Sequence, residues 1–535
     1  MAGTAGAGRR NGRARGARTA ASVVTVLGLV GAVSACGGAS VGGGGGSAVT
    51  VAVAADPGSL SPTTALASTA LAMNSFAYDT LVHLDAGGSP VPGVAEKWSA
   101  TTTSATFTIR PGVTCEDGSA LTAGDVAAEY NHVADPGNRS PMLGLSVPVT
   151  AVARADEAAR TVTVTTTKPA PFIVQMARML PLVCEESLAE PAALARATNA
   201  SGPYRLAEAV PGDHYTYVKR DGYGWGPGGS TGAGLPGKVV VKVVSNESTA
   251  ANLLMAGQIN VALVNGADQD RLDAAGVRYR SLESLFGQLL FNQAAGRPTA
   301  DPAVRRALVS VLDLKQLGSV ATGGKGRAPT RTGEIAPTPC TGDTVGGNLP
   351  AHDPAKAAAV LTAAGWTKSG GTWTRDGRAL TVGLGYAANL GPQVASAVEL
   401  AVQQWTSFGV RATAEPTGSG SIVGVLGGGD WDIAWAPIGV TLPDQLVQFY
   451  DGPPPPKGNN FGSVANPDYR RLAAEAAARP GAAGCALWDA AEAALVERVD
   501  VAPFVSKASR YYAKGVTFEV DGSGIVPSTL RRSAG

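Results

Sequence analysis

Apolar and polar positions alternate in short bursts along most of this chain, and Gly, Pro, Asp and Asn separate the bursts. The stretch "AVTVAVAADPGSLSP" alternates apolar and small residues and then breaks at Asp56-Pro57-Gly58, which predicts a strand entering a turn. "STALAMNSFAYDTLVHLD" switches to the apolar spacing of a helix. Further on, "SATFTIRPGVTCEDGSALTAGDVAAEYNHV" and "RTVTVTTTKPAPFIVQMARML" interleave strands and turns with single helices. Thr122 stands where its hydroxyl can accept an orphan N–H at the start of "AGDVAAEY". "GKVVVKVVSNESTAANLLMAGQINVALV" reads as strand, helix, strand, the repeating unit of an α/β layer. In "DPAVRRALVSVLD" one helical face carries Val304, Leu308 and Val311, which leaves Arg305 and Arg306 opposite, on an expected solvated face.

The first apolar run differs from the others. Arg9, Arg10, Arg13, Arg15 and Arg18 precede the acid-free segment "TAASVVTVLGLVGAV", the order of an export signal. The run falls short of the ~20 apolar residues of a membrane-spanning helix and is followed by small residues, so cleavage is expected. "VSAC" resembles the bacterial lipobox, which implies acylation of Cys36 and a lipid anchor in place of the lost segment. An ordinary secretory signal with an incidental cysteine is the alternative. "GGASVGGGGGS" has nothing apolar to bury and predicts a flexible tether over 36–47.

Charge and composition narrow the function classes. The five signal arginines are the only charges before Asp56, which leaves 38 basic against 42 acidic residues in the rest of the chain. No clustered basic face offers to neutralise phosphates, so nucleic acid is not an expected partner. Roughly 490 residues beyond the tether exceed one hydrophobic core and predict at least two lobes with a cleft. Two stretches fit G-x-G-x-x-G, Gly224–Gly229 and Gly232–Gly237, but both contain proline and precede a strand, so they read as turns. His83, His132, His214 and His352 are dispersed, and no Cys or His spacing suits zinc, so no cofactor is expected and direct metal binding is a minor option. G-x-S-x-G, H-E-x-x-H and a complete S-x-x-K set are all missing, which leaves an enzyme unmotivated.

A resemblance then becomes specific. "VAADPGSLSP", "YDTLVHLDAGGSPVPGVAEKW", "FTIRPGVTCEDGSALTAGDV" and "SGPYRL" resemble successive landmarks of the family 5 extracellular solute-binding proteins, the peptide and nickel receptors of ABC importers. "LLFNQAAGRPTADPAVRRALVSVLDLKQL", "HDPAKAAAVLTAAGW", "WDIAW" and "NPDYRRLAAEA" continue the series in order over nearly all of the mature chain. The resemblance implies an α/β, two-lobed, periplasmic-binding-protein-like fold (type II) with an extra subdomain in lobe one. Lobe one would comprise 48–286 and 506–535, with the insertion near 78–180, and lobe two would comprise 287–505. "SLFGQLLFNQ" and "VDVAPFVSKASRYYAKGV" would be the two crossings of a hinge. The oxidising compartment and the even count of Cys115, Cys184, Cys340 and Cys485 predict two disulfides. Three connectivities are open; pairing Cys115 with Cys184 and Cys340 with Cys485 keeps each bond within one lobe and is preferred.

By the same resemblance, "GDWDIAWAPIGVTLPDQLVQFY" bears on ligand choice. Peptide receptors of the family carry an aspartate for the ligand's α-ammonium in a stretch like D-Y-P-D-P. Here that position reads as Thr441, and Asp444 matches the second aspartate. A buried ammonium without an anionic partner costs several kcal/mol, so either Asp444 substitutes or the ligand is not an ordinary zwitterionic peptide. A turn role after Pro443 is the alternative for Asp444. Trp435, Trp431, Phe286, Phe291 and Tyr204 are candidates to line the cleft, with Trp435 foremost because it ends a predicted strand, and core packing is the competing role. Asn292 at the crossing could bond a ligand or the hinge itself. The expected function is capture of a peptide-like or other small polar solute by a monomeric, lipid-anchored extracytoplasmic receptor that serves ABC permease subunits. A cleft hydrolase and a sensor without a transporter are the competing classes.

Overall fold

The computed structural model describes residues 48–65, 67–184, 188, 192–417 and 422–533. The expected signal, Cys36 and the tether up to residue 47 lie outside them. Ten strands form the main sheet: β1 (Val49–Val53), β2 (Tyr204–Val210), β3 (His214–Lys219), β4 (Lys238–Val243), β5 (Val261–Val264), β6 (Arg278–Phe291), β7 (Thr381–Ala387), β8 (Arg411–Thr417), β9 (Ile433–Trp435) and β10 (Val501–Ala513). Their spatial order is β8-β7-β9-β6-β10-β5-β1-β4-β3-β2. The expected strand–helix–strand unit is present as β4, helix Glu247–Met255 and β5. Its two strands do not touch, however: β1 lies between them and is parallel to both. A segment nearly two hundred residues earlier thus completes the layer, with Val49 and Val51 buried against Val239, Val241 and Val261.

The two longest strands, β6 and β10, run antiparallel to each other through the middle of the sheet, from Arg278 opposite Ala513 to Leu290 opposite Val501. One end of each joins the β5 side and the other the β9 side, so the pair links two lobes. Their register shifts between Leu285 and Gln288, around Gly287. At that bulge the side chains of β10 crowd the glycine: a Cβ on Gly287 would sit 2.5 Å from the Phe504 ring and 2.6 Å from Val505 Cγ1. Only glycine fits there.

A separate antiparallel sheet of Ala95–Ala100, Ser104–Ile109, Thr161–Thr165 and Val152–Asp156 is covered by helix Ala123–Ala134. Thr122 caps that helix as expected: its Oγ1 accepts from Asp125 N at 3.1 Å, while its own N–H donates to Asp125 Oδ2 at 2.6 Å. The cysteines pair as Cys115–Cys184 and Cys340–Cys485, with Cα separations of 6.4 and 5.1 Å. Both G-x-G-x-x-G stretches fall in the turns that lead into β4.

Arg305 departs from expectation. It is fully buried, not solvated. Its Nε donates to Val499 O at 2.8 Å, its Nη1 to Thr299 O at 3.0 Å, and its Nη2 pairs with the equally buried Asp500 at 2.9 Å. Three methylenes of side chain carry the charge off the polar face to a carbonyl-lined recess. Arg306 remains near solvent and donates to Glu497 O.

Candidate functional site

A cavity opens between the first lobe and the C-terminal segment. Its walls include Asn74, Tyr78, Asp79, His83, Arg178 and Asp521. The space open to the centre of a water-sized sphere is about 100 Å³, well above the ~10–15 Å³ that one water needs. Helix Ser68–Ala77 supplies Asn74 and ends at Tyr78, whose N–H closes the last turn on Asn74 O at 2.8 Å. The chain then turns through Asp79 into the short strand Val82–Leu84, which carries His83. Arg178 stands alone among charges in the apolar run "PFIVQMARMLPLV".

Hydrogen-bond accounting separates these side chains into two groups. Asp79 is engaged by the protein on both oxygens: Oδ2 accepts from Tyr223 Oη at 2.6 Å and Oδ1 from Thr80 N at 2.8 Å. His83 Nε2 lies 2.8 Å from Asp79 Oδ1, near enough for an ion pair though out of line for a hydrogen bond. Asp521 receives Ser523 N at 2.8 Å and Arg178 Nη2 at 3.4 Å. Asn74 Nδ2 and Oδ1, the Tyr78 hydroxyl and Arg178 Nη1, by contrast, are sealed from bulk water with no partner. Arg178 keeps only 5% of its side-chain exposure. Burial, reinforced by the charge of Glu129, pushes the Tyr78 phenol above its ordinary range and keeps it a donor.

The second lobe reaches this wall through the turn around Thr441. Gly522 sits between the two lobes: a Cβ built there would lie 3.6 Å from both Arg178 Nη2 and Thr441 Cγ2. Thr441 Oγ1 is 3.3 Å from Met179 Sδ, and Gln445 Nε2 donates to Leu145 O at 3.0 Å, so the lobes touch here. Asp444, three residues on from Thr441, has an Oδ1 sealed from solvent without a partner, and burial pushes its carboxyl up to about 7.

The other sequence candidates lie apart from the cavity. Trp435 is 1% exposed, packed edge-on to Phe504 at 4.9 Å, and donates its Nε1 to Phe286 O at 3.0 Å. Trp431 bonds Leu426 O at 3.1 Å, Phe291 is fully enclosed, and Tyr204 stacks on Phe76 at 5.9 Å. Asn292 spends its amide inside the fold, on Gly429 O and Trp431 O at 3.1 and 2.9 Å. Phe286 is half-buried beneath Lys507 Nζ at 5.2 Å. Trp435 and Phe291 lie in central strands of the sheet, covered on both faces, whereas Tyr204, on the edge strand β2, packs in the first-lobe core. Asn74, Tyr78, Asp79 and Arg178 escaped the sequence reading. The available signal was a single cation inside an apolar run, since burying an unpaired charge needs a reason.

Two lobes strung on a pair of antiparallel strands, with a cavity in the first lobe beside the second, are the architecture of a solute-binding receptor. The chain belongs to the bacterial extracellular solute-binding proteins, family 5, whose middle region matches residues 89–453. It is therefore a substrate-binding protein of the ABC transporter class, a family that works outside the cytoplasm with ABC permeases and consists of binding proteins rather than enzymes. It is 24% identical to the periplasmic murein peptide-binding protein MppA of Escherichia coli (strain K12) over 496 residues, 84% of this chain and 85% of that one. A substrate binding protein from Microbacterium hydrocarbonoxydans, solved with 4-hydroxybenzoate hydrazide, superposes with a TM-score of 0.70 at 25% identity, covering 91% of this chain and 100% of the other. NikA from Brucella suis, solved with Fe(III)-EDTA, shares the fold with a TM-score of 0.75 at 21% identity, covering 91% and 100%. Among the described residues no helix is long and apolar enough to cross a membrane.

Proposed function

We propose that this protein is the lipid-anchored receptor of an ABC importer, tethered through Cys36, which encloses a peptide-like or other small polar solute between its lobes and presents the closed form to a permease. The lobes divide at 286/287 and 505/506, the signal occupies 1–35, and the protein works as a monomer. One observation carries the reading: Asn74, Tyr78 and Arg178, each with a buried polar atom that has no partner, line a first-lobe cavity that adjoins the second lobe where Thr441 Oγ1 lies 3.3 Å from Met179 Sδ. Buried polar groups left without partners are costly, and a bound solute that supplies those partners recovers the cost. A solute that bridges from this cavity to the Thr441 turn would touch both lobes, and its differential affinity would favour closure. About 5.5 kcal/mol of preference would carry a population from mostly open to mostly closed.

Native mass spectrometry of the purified protein, made without its signal and lipid and then incubated with spent culture medium, tests this. The expected result is a non-covalent adduct of one small solute that is released unchanged on denaturation. Chemical turnover of the bound compound, or no adduct from any medium, overturns the reading.

A further inference from the structure

Two lobes that close on a solute need contacts that hold them closed, and one side-chain amide is placed to make such a contact. We infer that Gln445 is the latch of the closed form, a positioning residue that ties the Thr441 turn of the second lobe to the Leu145 carbonyl of the first and sets how often the lobes close; this rests on the receptor reading above.

The two ends of the amide serve different lobes. Its Oε1 accepts from Thr441 N at 3.0 Å, Leu442 N at 3.1 Å and Thr441 Oγ1 at 3.3 Å, which folds the turn. Its Nε2 donates across the boundary to Leu145 O at 3.0 Å. Backbone N–H groups on one side and a carbonyl on the other leave the amide a single orientation. The residue type follows from that arrangement. A glutamate would keep an acceptor for the turn but set its second oxygen against Leu145 O, and an apolar side chain would lose both sets of bonds.

Each end is anchored in its own lobe. Leu145 O is presented by a tight turn, in which Leu145 N and Ser146 N share Met142 O at 3.0 and 2.9 Å and Gly144 N bonds Val147 O at 2.7 Å. Met142 and Val147 are buried in the same core as Leu81 and Phe107. On the other side, Ile335 N donates to Val440 O at 2.7 Å just before the Thr441 turn, and Leu446 and Tyr450 are buried just after it in a cluster with Leu290. Neither end is free to follow the other when the lobes part. The Nε2 bond therefore belongs to the closed form, whereas the Oε1 bonds persist in both.

Other contacts between the lobes are less suited to this role. Thr441 Oγ1 meets Met179 Sδ, a weak acceptor, at 3.3 Å. Lys325 pairs with Asp270 at 2.7 Å, but Asp270 is 77% exposed, and rim pairs of that kind contribute little. Gly481 N reaches Pro171 O through backbone alone, so no side chain tunes that bond. Gln445 is 5% exposed, which shields its bond from competing water while the lobes are closed.

Small-angle scattering without solute, joined to hydrogen exchange at the turn, tests the inference on the protein made without its signal and lipid. The wild type should fit the closed structure. Gln445→Met and Gln445→Glu should each enlarge the radius of gyration at pH 8, with a fitted open-to-closed ratio about 10-fold or more above that of the wild type. The amides of Thr441 and Leu442 should lose protection in Gln445→Met and keep it in Gln445→Glu, which separates the latch from the folding of the turn. If Gln445→Glu fails to fold, Gln445→Met carries the scattering comparison. The inference falls if the wild type is already open, if either folded variant scatters as the wild type does, or if Gln445→Glu opens only with loss of protection at the turn. An adduct from culture medium in that case leaves the receptor reading standing, whereas a rigid protein that forms no adduct removes both.

Discussion

Asp444 is a carboxyl whose environment opposes its charge, and that makes it a reporter. Burial raises it from 3.8 in the free chain to about 7 in the folded protein. Between those values the folded protein keeps a proton that the unfolded chain has released. Stability therefore declines as pH rises through that window and levels off above it. Asp444→Asn removes the penalty: its melting temperature should exceed the native protein's by about 1–3 °C at pH 8 and match it at pH 4, by calorimetry across pH. A loss at both pH values would mean that the carboxylate makes a contact the structure lacks. Arg305 and Arg178 mark the limit of reading at this scale. Helical spacing placed Arg305 on a polar face, where its Cβ indeed starts, but a long side chain can end one turn away among the carbonyls of Thr299 and Val499. Arg178 was visible as a lone charge among apolar residues, and its partner, Asp521, is 343 residues distant. Spacing along a chain carries no record of such a meeting.

At the scale of elements most of the fold was legible. Alternation marked β1 and the β4–helix–β5 unit, the family resemblance marked both crossing strands, and the threonine cap of helix Ala123–Ala134 fell where its hydroxyl predicted. Illegible were the pairings made across long stretches of chain, above all the insertion of β1 between β4 and β5, since period-two alternation specifies a face but not a neighbour. The same limit applied to Trp435. Ending a strand looked like facing a cleft, yet β9 pairs with β6 on one side and β7 on the other, so the ring is enclosed. The bulge at Gly287 gives this scale its prediction. Gly287→Ala forces a methyl into Phe504 and Val505 and should cost about 1–3 kcal/mol as overpacking, read as a lower melting temperature. Adding Phe504→Leu should recover part of the loss. No recovery would mean that backbone conformation, not collision, is what Gly287 supplies.

For the whole molecule, the lobes are held by more than the crossing strands. Phe172 and Met176, from the segment before Arg178, sit in a core cluster whose other members run from Leu290 to Val501, with Phe172 6.4 Å from the Trp488 ring. Gly481 N adds a hydrogen bond to Pro171 O at 2.8 Å. Opening must expose this patch, so Phe172→Ala should favour the open form: a larger radius of gyration by small-angle scattering without solute, and affinity reduced by about the same factor as the closed population. An unchanged radius would place the rotation elsewhere. The central position of β10 has one more consequence. Its partners β5 and β6 wait more than two hundred residues for it, and β1, made first, needs β4 and β5 before either of its edges is covered. The main sheet therefore cannot be completed until β10, close to the end of the chain, has been made, so its closure depends on contacts between segments far apart in sequence.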